Sequence, residues 1–268
     1  MTDLKKLCKE IESAAREAGR FISKESEVFD INKTESKGHN NFVTYVDKKS
    51  ERMLIKRLEE LIPEAGFIAE EGTSSRRGSR YNWVIDPLDG TTNFMHRVHP
   101  YAVSIGLQDE NEIIAGVVRE IGGDETFTAW KGGGAWLNGK RIRVSETPNL
   151  AESLVATGFP YNLFDRLDPY MDLLKHLVRN THGVRRLGSA SIDLAYVACG
   201  RFECFFEYDL KPWDIAAGML LVREAGGRFS DFSGNVSNLD GDETIAANDL
   251  VYNELLEVIQ RFMKPKTR

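Results

Sequence analysis

The chain has 268 residues, of which 41% are hydrophobic and 10% aromatic. That is enough to bury a sizeable core, as one large domain or two tightly joined halves. The formal net charge of −6 excludes any general electrostatic pull toward nucleic acid or an anionic membrane. Taken in chain order, Leu4, Leu7, Ile11, Ala14, Ala15, Ala18, Phe21 and Ile22 share one face at helical spacing, which predicts a helix over 4–22. A second helix is expected over 48–62, stopped by Pro63. A short strand at Phe67-Ile68 ends on Glu70-Glu71, and a strand over 81–85 ends on Asp86. Residues 101–107, 112–119 and 126–130 read as an antiparallel series, and Asn138-Gly139 is a hairpin-turn signal. Strands and helices then alternate: strand 153–157, helices 167–178 and 189–198, strand 202–206, and helix 213–225 closed by Gly226-Gly227. Strand 243–247 and helix 250–262 complete the order. No repeat or linker interrupts it, so one domain over 1–268 is expected, with packed halves of about 1–145 and 146–268 in a layered α/β sandwich. Only the Lys-Pro-Lys-Thr-Arg end is expected to stay unfolded.

Acidic residues collect where predicted elements end. In "WVIDPLDGTTNF" (83–94), an apolar strand runs into Asp86, and Asp89 repeats the charge. Pro87 fixes φ and is expected to force a turn that aims Asp86, Asp89 and the Leu88 carbonyl into one space. Such hard oxygen donors suit Mg²⁺, Mn²⁺ or Ca²⁺. A calcium loop fails on spacing, because the acids are not two apart and Arg97 stands at the twelfth position. Gly90, Thr91 and Thr92 read as a helix start whose N–H groups can hold a phosphate oxygen. A plainer reading stays open, in which Asp89 only caps that helix. Asp214 could likewise serve the dipole of its helix, Asp47 could be an N-cap, and Glu70 and Glu71 could be solvated loop charges. Cys8, Cys199 and Cys204 show no framework of pairs and read as reduced thiols. His96 and His99 form an H-x-x-H without an evident third ligand, and read as loop residues. No apolar run reaches the roughly 18–20 residues of a membrane span. The start, Met1-Thr2-Asp3-Leu4-Lys5-Lys6, has no signal-peptide core, so a cytoplasmic protein is expected.

Together, "GFIAEEG" (66–72), "WVIDPLDGTTNF" (83–94) and "WDIAAGMLLVREAGG" (213–227) resemble the signatures of the inositol monophosphatase family, in its order and spacing. The resemblance extends to "NNFVTYVDKKSERML" (40–54), "NGKRIRVS" (138–145) and "GSASIDLAYVACGRFECFFE" (188–207). It implies an αβαβα layered sandwich of the inositol monophosphatase and sugar phosphatase type, and Mg²⁺-dependent hydrolysis of a small phosphate monoester. By resemblance, Glu70, Asp86 and the Leu88 carbonyl hold one magnesium, and Asp86, Asp89 and Asp214 a second. A third, weaker ion belongs with Glu70, and Mn²⁺ can substitute. Thr91 paired with Asp47 orients the attacking water, and the N–H groups of Gly90 and Thr91 bind phosphate. The substrate side is implied to comprise Asp89, Arg186, Gly188, Ser189, Ala190, Glu207 and Asp214. The chemistry agrees, because two metals can clamp entering and leaving oxygens and lower the pKa of a water, with no Cys or His nucleophile.

Thr92-Asn93 after Asp89-Gly90-Thr91 is the inositol-type form, where relatives acting on 3′-phosphoadenosine 5′-phosphate read Lys-Glu. The expected substrate is therefore inositol monophosphate, a small phosphorylated polyol. A homodimer, lithium sensitivity and no nucleic-acid partner are also expected. Fructose 1,6-bisphosphate, NADP or 3′-phosphoadenosine 5′-phosphate are alternative substrates. A regulatory binding protein that keeps the fold, such as a partner of the transcription machinery, is the alternative class. Asn41 departs from the Asp frequent in the family, and Lys37-Gly38 resembles its flexible metal-proximal loop.

Overall fold

The computed structural model describes residues 3–38, 41–160, 165–236, 239 and 242–263. The expected tail at 264–268 lies outside the described residues, as do the side chains at Lys37 and Asn41. Helix α1 (Leu4–Val28) buries Leu7, Cys8, Ile11, Ala14, Ala15, Ala18 and Ile22, the face that the spacing marked. It outruns the expected end because residues 23–27 contain no Gly or Pro to stop it. Strands β1 (Glu35–Gly38) and β2 (Asn41–Val43) pair antiparallel. Helix α2 (Tyr45–Leu61) starts earlier than expected, because Thr44 caps it and forms a capping box with Asp47. Asp47 is thus the third helical residue and not the N-cap.

A seven-stranded sheet follows in sequential order. It comprises β3 (Gly66–Ala69), β4 (Tyr81–Asp89), β5 (Ala102–Asp109), β6 (Glu112–Glu120), β7 (Glu125–Trp130), β8 (Gly134–Leu137) and β9 (Lys140–Ile142), with the short helix α3 (Thr91–Met95) after β4. Only β3 and β4 are parallel. Strand β4 does not stop at Asp86. Asp86 pairs with Ser104 and Asp89 with Ala102, and the register breaks between them. The expected turn at Pro87 is therefore an irregularity inside the strand, where the missing proline N–H breaks no ladder bond. Asn138 (φ 48°) and Gly139 (φ 77°) close the β8–β9 hairpin as expected.

The remaining elements are β10 (Leu154–Thr157), α4 (Leu167–Asn180), β11 (Gly183–Arg185), α5 (Ala190–Ala198), β12 (Cys204–Tyr208), α6 (Pro212–Glu224), β13 (Arg228–Ser230), β14 (Glu243–Ala247) and α7 (Tyr252–Phe262). The strands form a second sheet in the order β11-β10-β12-β14-β13. Strand β12 lies two residues beyond its expected start, and β11 and β13 are too short to leave a period. Helices α1 and α2 cover one face of the larger sheet, α5 and α6 fill the space between the sheets, and α4 and α7 cover the smaller sheet. Three apolar cores separate these layers. The architecture is the expected αβαβα sandwich.

Candidate active site

The irregularity in β4 brings its acids against three helices. Asp86 is 2% exposed and accepts the Leu88 N–H at 2.9 Å. The Pro87 carbonyl accepts from Ser50 Oγ at 3.0 Å, which ties the bend to α2. Thr91 Oγ1 lies 2.8 Å from Asp47 Oδ1 and 3.1 Å from the Leu88 carbonyl. Asp47 Oδ2 accepts the Thr44 N–H at 2.8 Å and the Thr44 hydroxyl at 2.5 Å, so cap and Thr91 partner are one group. Burial pushes the Asp47 carboxyl up, and these hydrogen bonds oppose the shift.

Asp89 does not cap α3. Gly90 is the N-cap at φ 90°, and a Cβ there would meet the Gly188 carbonyl at 3.2 Å. Asp89 Oδ2 instead accepts from Ser189 Oγ at 2.7 Å, Ser191 N at 2.8 Å and Ser191 Oγ at 2.5 Å. Those donors open α5, with Ser189 its N-cap and Ala190 its buried first residue. Asn93 Nδ2 donates to the Pro100 and Leu187 carbonyls at 2.7 and 2.8 Å, holding the 186–189 loop beside α3. In that loop the Arg186 guanidinium lies across Gly188 (φ 84°), with Nη1 2.8 Å from where a Cβ would stand.

Asp214, in the first turn of α6, accepts the Lys211 N–H at 2.7 Å and so does serve its helix. It also faces the other acids. Its carboxyl is pushed up to about 8, by burial and then by the charge of Asp89. Asp86 is raised well above the carboxylate range by burial, then by Glu70, Asp89 and Asp214. Burial raises Asp89 too, against its Ser191 and Ser189 bonds. Glu70 sits in the half-buried turn after β3, its N–H on the Ile85 carbonyl at 3.2 Å. Glu207 is buried on β12 and pushed up to about 8 by burial, with Arg186 opposing. It packs so closely on Gly158 that a Cβ there would lie 2.1 Å from Oε1.

All of these donors are oxygens, which fits a hard divalent cation. Among the described residues no three acids, histidines or thiols are drawn together into a ready-made cage. Yet the mutual repulsion that raises Asp86 is the kind a divalent cation relieves, so the residues fit such an ion. The cysteines are free. Burial raises all three, Cys8 to about 12, so none is an activated nucleophile. His99 stacks on Tyr101 at 4.7 Å and lies 3.9 Å from Glu120, a packing role.

Sequence reasoning missed Ser50, Glu51, Asn93, Gly158, Ser191 and Asp193. Ser50 and Glu51 follow Asp47 at helical spacing, and Asn93 and Ser191 lie inside stretches already marked, so those signals were available. Asp193, on α5, is 1% exposed, and its Oδ1 has no hydrogen-bond partner among the described residues. Burial and the charges of Glu207 and Asp89 raise its carboxyl, with Arg186 opposing.

The chain matches the model of the inositol monophosphatase family over residues 3–264. It is 43% identical over 260 residues to the Nus factor SuhB of Pseudomonas aeruginosa, covering 95% of this chain and 96% of that one. To the inositol-1-monophosphatase of Rhizobium meliloti it is 42% identical over 226 residues, covering 84% of this chain and 85% of that one. The IMPase of Thermotoga maritima shares the fold with a TM-score of 0.87 at 33% identity, covering 97% and 98% of the two chains. Among the described residues no helix is long and apolar enough to cross a membrane.

Proposed function

This chain belongs to the inositol monophosphatase family, and on that premise we propose that it is a Mg²⁺-dependent phosphomonoesterase releasing inositol and phosphate from inositol monophosphate. The observation that carries the reading is that the buried Asp86 feels the charges of Glu70, Asp89 and Asp214, while its neighbour Leu88 offers its carbonyl to the Thr91 hydroxyl that also reaches Asp47. Glu70, Asp86, the Leu88 carbonyl, Asp89 and Asp214 would hold two to three Mg²⁺ ions, or Mn²⁺ in their place. Bound there, such ions neutralise charge on the transferring phosphoryl group and lower the pKa of a water.

The chain's own groups do the rest. Thr91 Oγ1 donates to Asp47 Oδ1 and can accept a proton from the attacking water. As it does so, its own hydroxyl proton passes along the existing hydrogen bond to Asp47, whose carboxyl, raised by burial, is suited to take it. The N–H groups of Gly90 and Thr91 receive phosphate oxygens. On the leaving-group side, Glu207, Asp89 and Asp214 accept from ring hydroxyls, Arg186 helps hold the substrate, and Gly188, Ser189 and Ala190 form a wall of short side chains. Carboxyl groups crowd this side, and Lys211 is paired with Asp209 at 2.9 Å. That lining of hydrogen-bonding carboxyls suits a polyol, whose hydroxyls can pair with them.

The alternative class is a binding protein that keeps the fold, and several relatives are named Nus factor SuhB. A chain that had given up catalysis has no need to keep the whole acid set beside Thr91. From the family likeness we also propose a cytoplasmic homodimer inhibited by Li⁺. The reading is tested by phosphate release with Mg²⁺ from myo-inositol 1-phosphate, fructose 1,6-bisphosphate, NADP and 3′-phosphoadenosine 5′-phosphate. Inositol phosphate should be preferred. A preference for a bisphosphate or nucleotide overturns the substrate, and no release from any of them by folded protein overturns the enzyme.

A further inference from the structure

Helix α2 carries Asp47, Ser50 and Glu51, and spacings of three and four residues put them on one face. All three are fully buried. Each holds a different part of the site. Asp47 takes the Thr91 hydroxyl, and Ser50 takes the Pro87 carbonyl. Glu51 takes the turn after β3: its Oε2 accepts the Glu71 N–H at 2.7 Å, and its Oε1 accepts both the N–H and the hydroxyl of Thr73 at 2.7 Å. Gly72, at φ 62°, lets the chain bend between those two anchor points. Glu70 stands immediately before them, with its own N–H on the Ile85 carbonyl. Its backbone is thus held by the sheet on one side and by the Glu51 carboxylate on the other. A loop of this length would otherwise leave its backbone donors to water and its direction to chance.

We propose that Glu51 is a positioning residue, whose carboxylate locks the turn from Glu70 to Thr73 and so presents Glu70 to Asp86 as a metal ligand. This rests on the metal-dependent reading above. Glu51 itself touches neither metal nor substrate; it acts through Glu70. Outer-shell partners of metal ligands typically contribute about 10–100-fold in metal affinity. The effect should be confined to ions that use Glu70. An ion held by Asp86, Asp89 and Asp214 should be indifferent to it. A purely structural Glu51 would lower stability without favouring one metal site over another.

The test is Mn²⁺ titration of the full chain by calorimetry, together with its melting temperature. Glu51→Gln puts an amide donor where an oxygen now faces an N–H, releasing one end of the turn. The expected result is a loss of about tenfold or more at one class of Mn²⁺ site, with the other class changed less than about twofold. Thr73→Val removes only the hydroxyl donor and should give the same pattern more weakly, so the idea stays testable if Glu51→Gln folds poorly. Equal weakening at every site overturns the proposal, as does a lowered melting temperature with an unchanged isotherm. A wild-type chain that binds no Mn²⁺ overturns the metal-dependent reading itself, and this inference with it.

Discussion

Thr91 has one hydroxyl proton and two acceptors within reach, Asp47 Oδ1 and the Leu88 carbonyl. If it points to Asp47, its lone pairs are free for a water. Thr91→Ala should then lower kcat by on the order of a hundredfold and leave KM nearly unchanged. Steady-state kinetics on inositol phosphate checks this; a rise in KM at constant kcat would make Thr91 a phosphate ligand only. Glu207 supplies a pH prediction. Its carboxyl titrates at about 8 in the folded chain against an ordinary 4.5. The folded protein therefore keeps a proton that the unfolded chain releases earlier. Stability from this group is full below about 4.5 and is lost as pH rises through about 8. Glu207→Gln should raise the melting temperature more at pH 9 than at pH 5. An equal change at both pH values would show that burial does not penalise the charge.

At the scale of elements, β10 and β12 lie side by side, and the residue after β10 is Gly158. Its missing side chain is the space that the Glu207 carboxyl occupies, so Gly158→Ala cannot leave Glu207 in place. Removing one partner of a buried hydrogen bond costs about 1–3 kcal/mol. The variant should thus lose about ten- to a hundredfold in kcat/KM for myo-inositol 1-phosphate, whereas p-nitrophenyl phosphate, which has no ring hydroxyl to offer, should be nearly unaffected. Equal losses on both esters would mean that Glu207 supports the site and not the sugar. The β4 end makes a related point. The sequence predicts a turn at Pro87, because proline fixes φ after an apolar strand. The neighbouring β5 resumes pairing at Asp89, and a local pattern cannot register what a partner strand does. The capping of α2 is nearer to hand: Thr44 and Asp47 form a capping box readable in the sequence, with Asp47 its third helical residue and Thr44 its cap.

At the scale of the molecule, the layer between the sheets decides whether the site exists. Helix α5 brings Ser189 and Ser191 to Asp89, and α6 brings Asp214 to the same acids. The two helices cross where Gly218 meets Leu194, and a Cβ there would be 2.6 Å from the Leu194 Cβ. Gly218→Ala gains about 1 kcal/mol in helix propensity. That gain should lose to the clash, because no side-chain rotation moves Leu194 Cβ, and overpacking typically costs about 1–3 kcal/mol. A melting point lower by a few degrees is expected, at roughly 2–4 °C per kcal/mol, with similar losses for every substrate as the two halves of the site separate. An unchanged melting point would show that the layer yields at no cost.

The sequence alone determined the kinds of element and most of their order, because apolar period, caps and turn residues act within a few positions of each other. It also determined the donor chemistry: acids placed where strands and helices end, with no activated thiol in reach. The 189–198 helix and the "WDIAAG" stretch were legible as elements, but nothing local said that both would point at Asp89. Only the tertiary structure decided that three buried groups on one face of α2 would each hold a separate loop. It alone decided that Asp89 would be bonded by serines a hundred residues away rather than cap its own helix. Both outcomes depend on burial, which makes an unpaired carboxylate costly and selects whichever donors the packing of distant layers delivers.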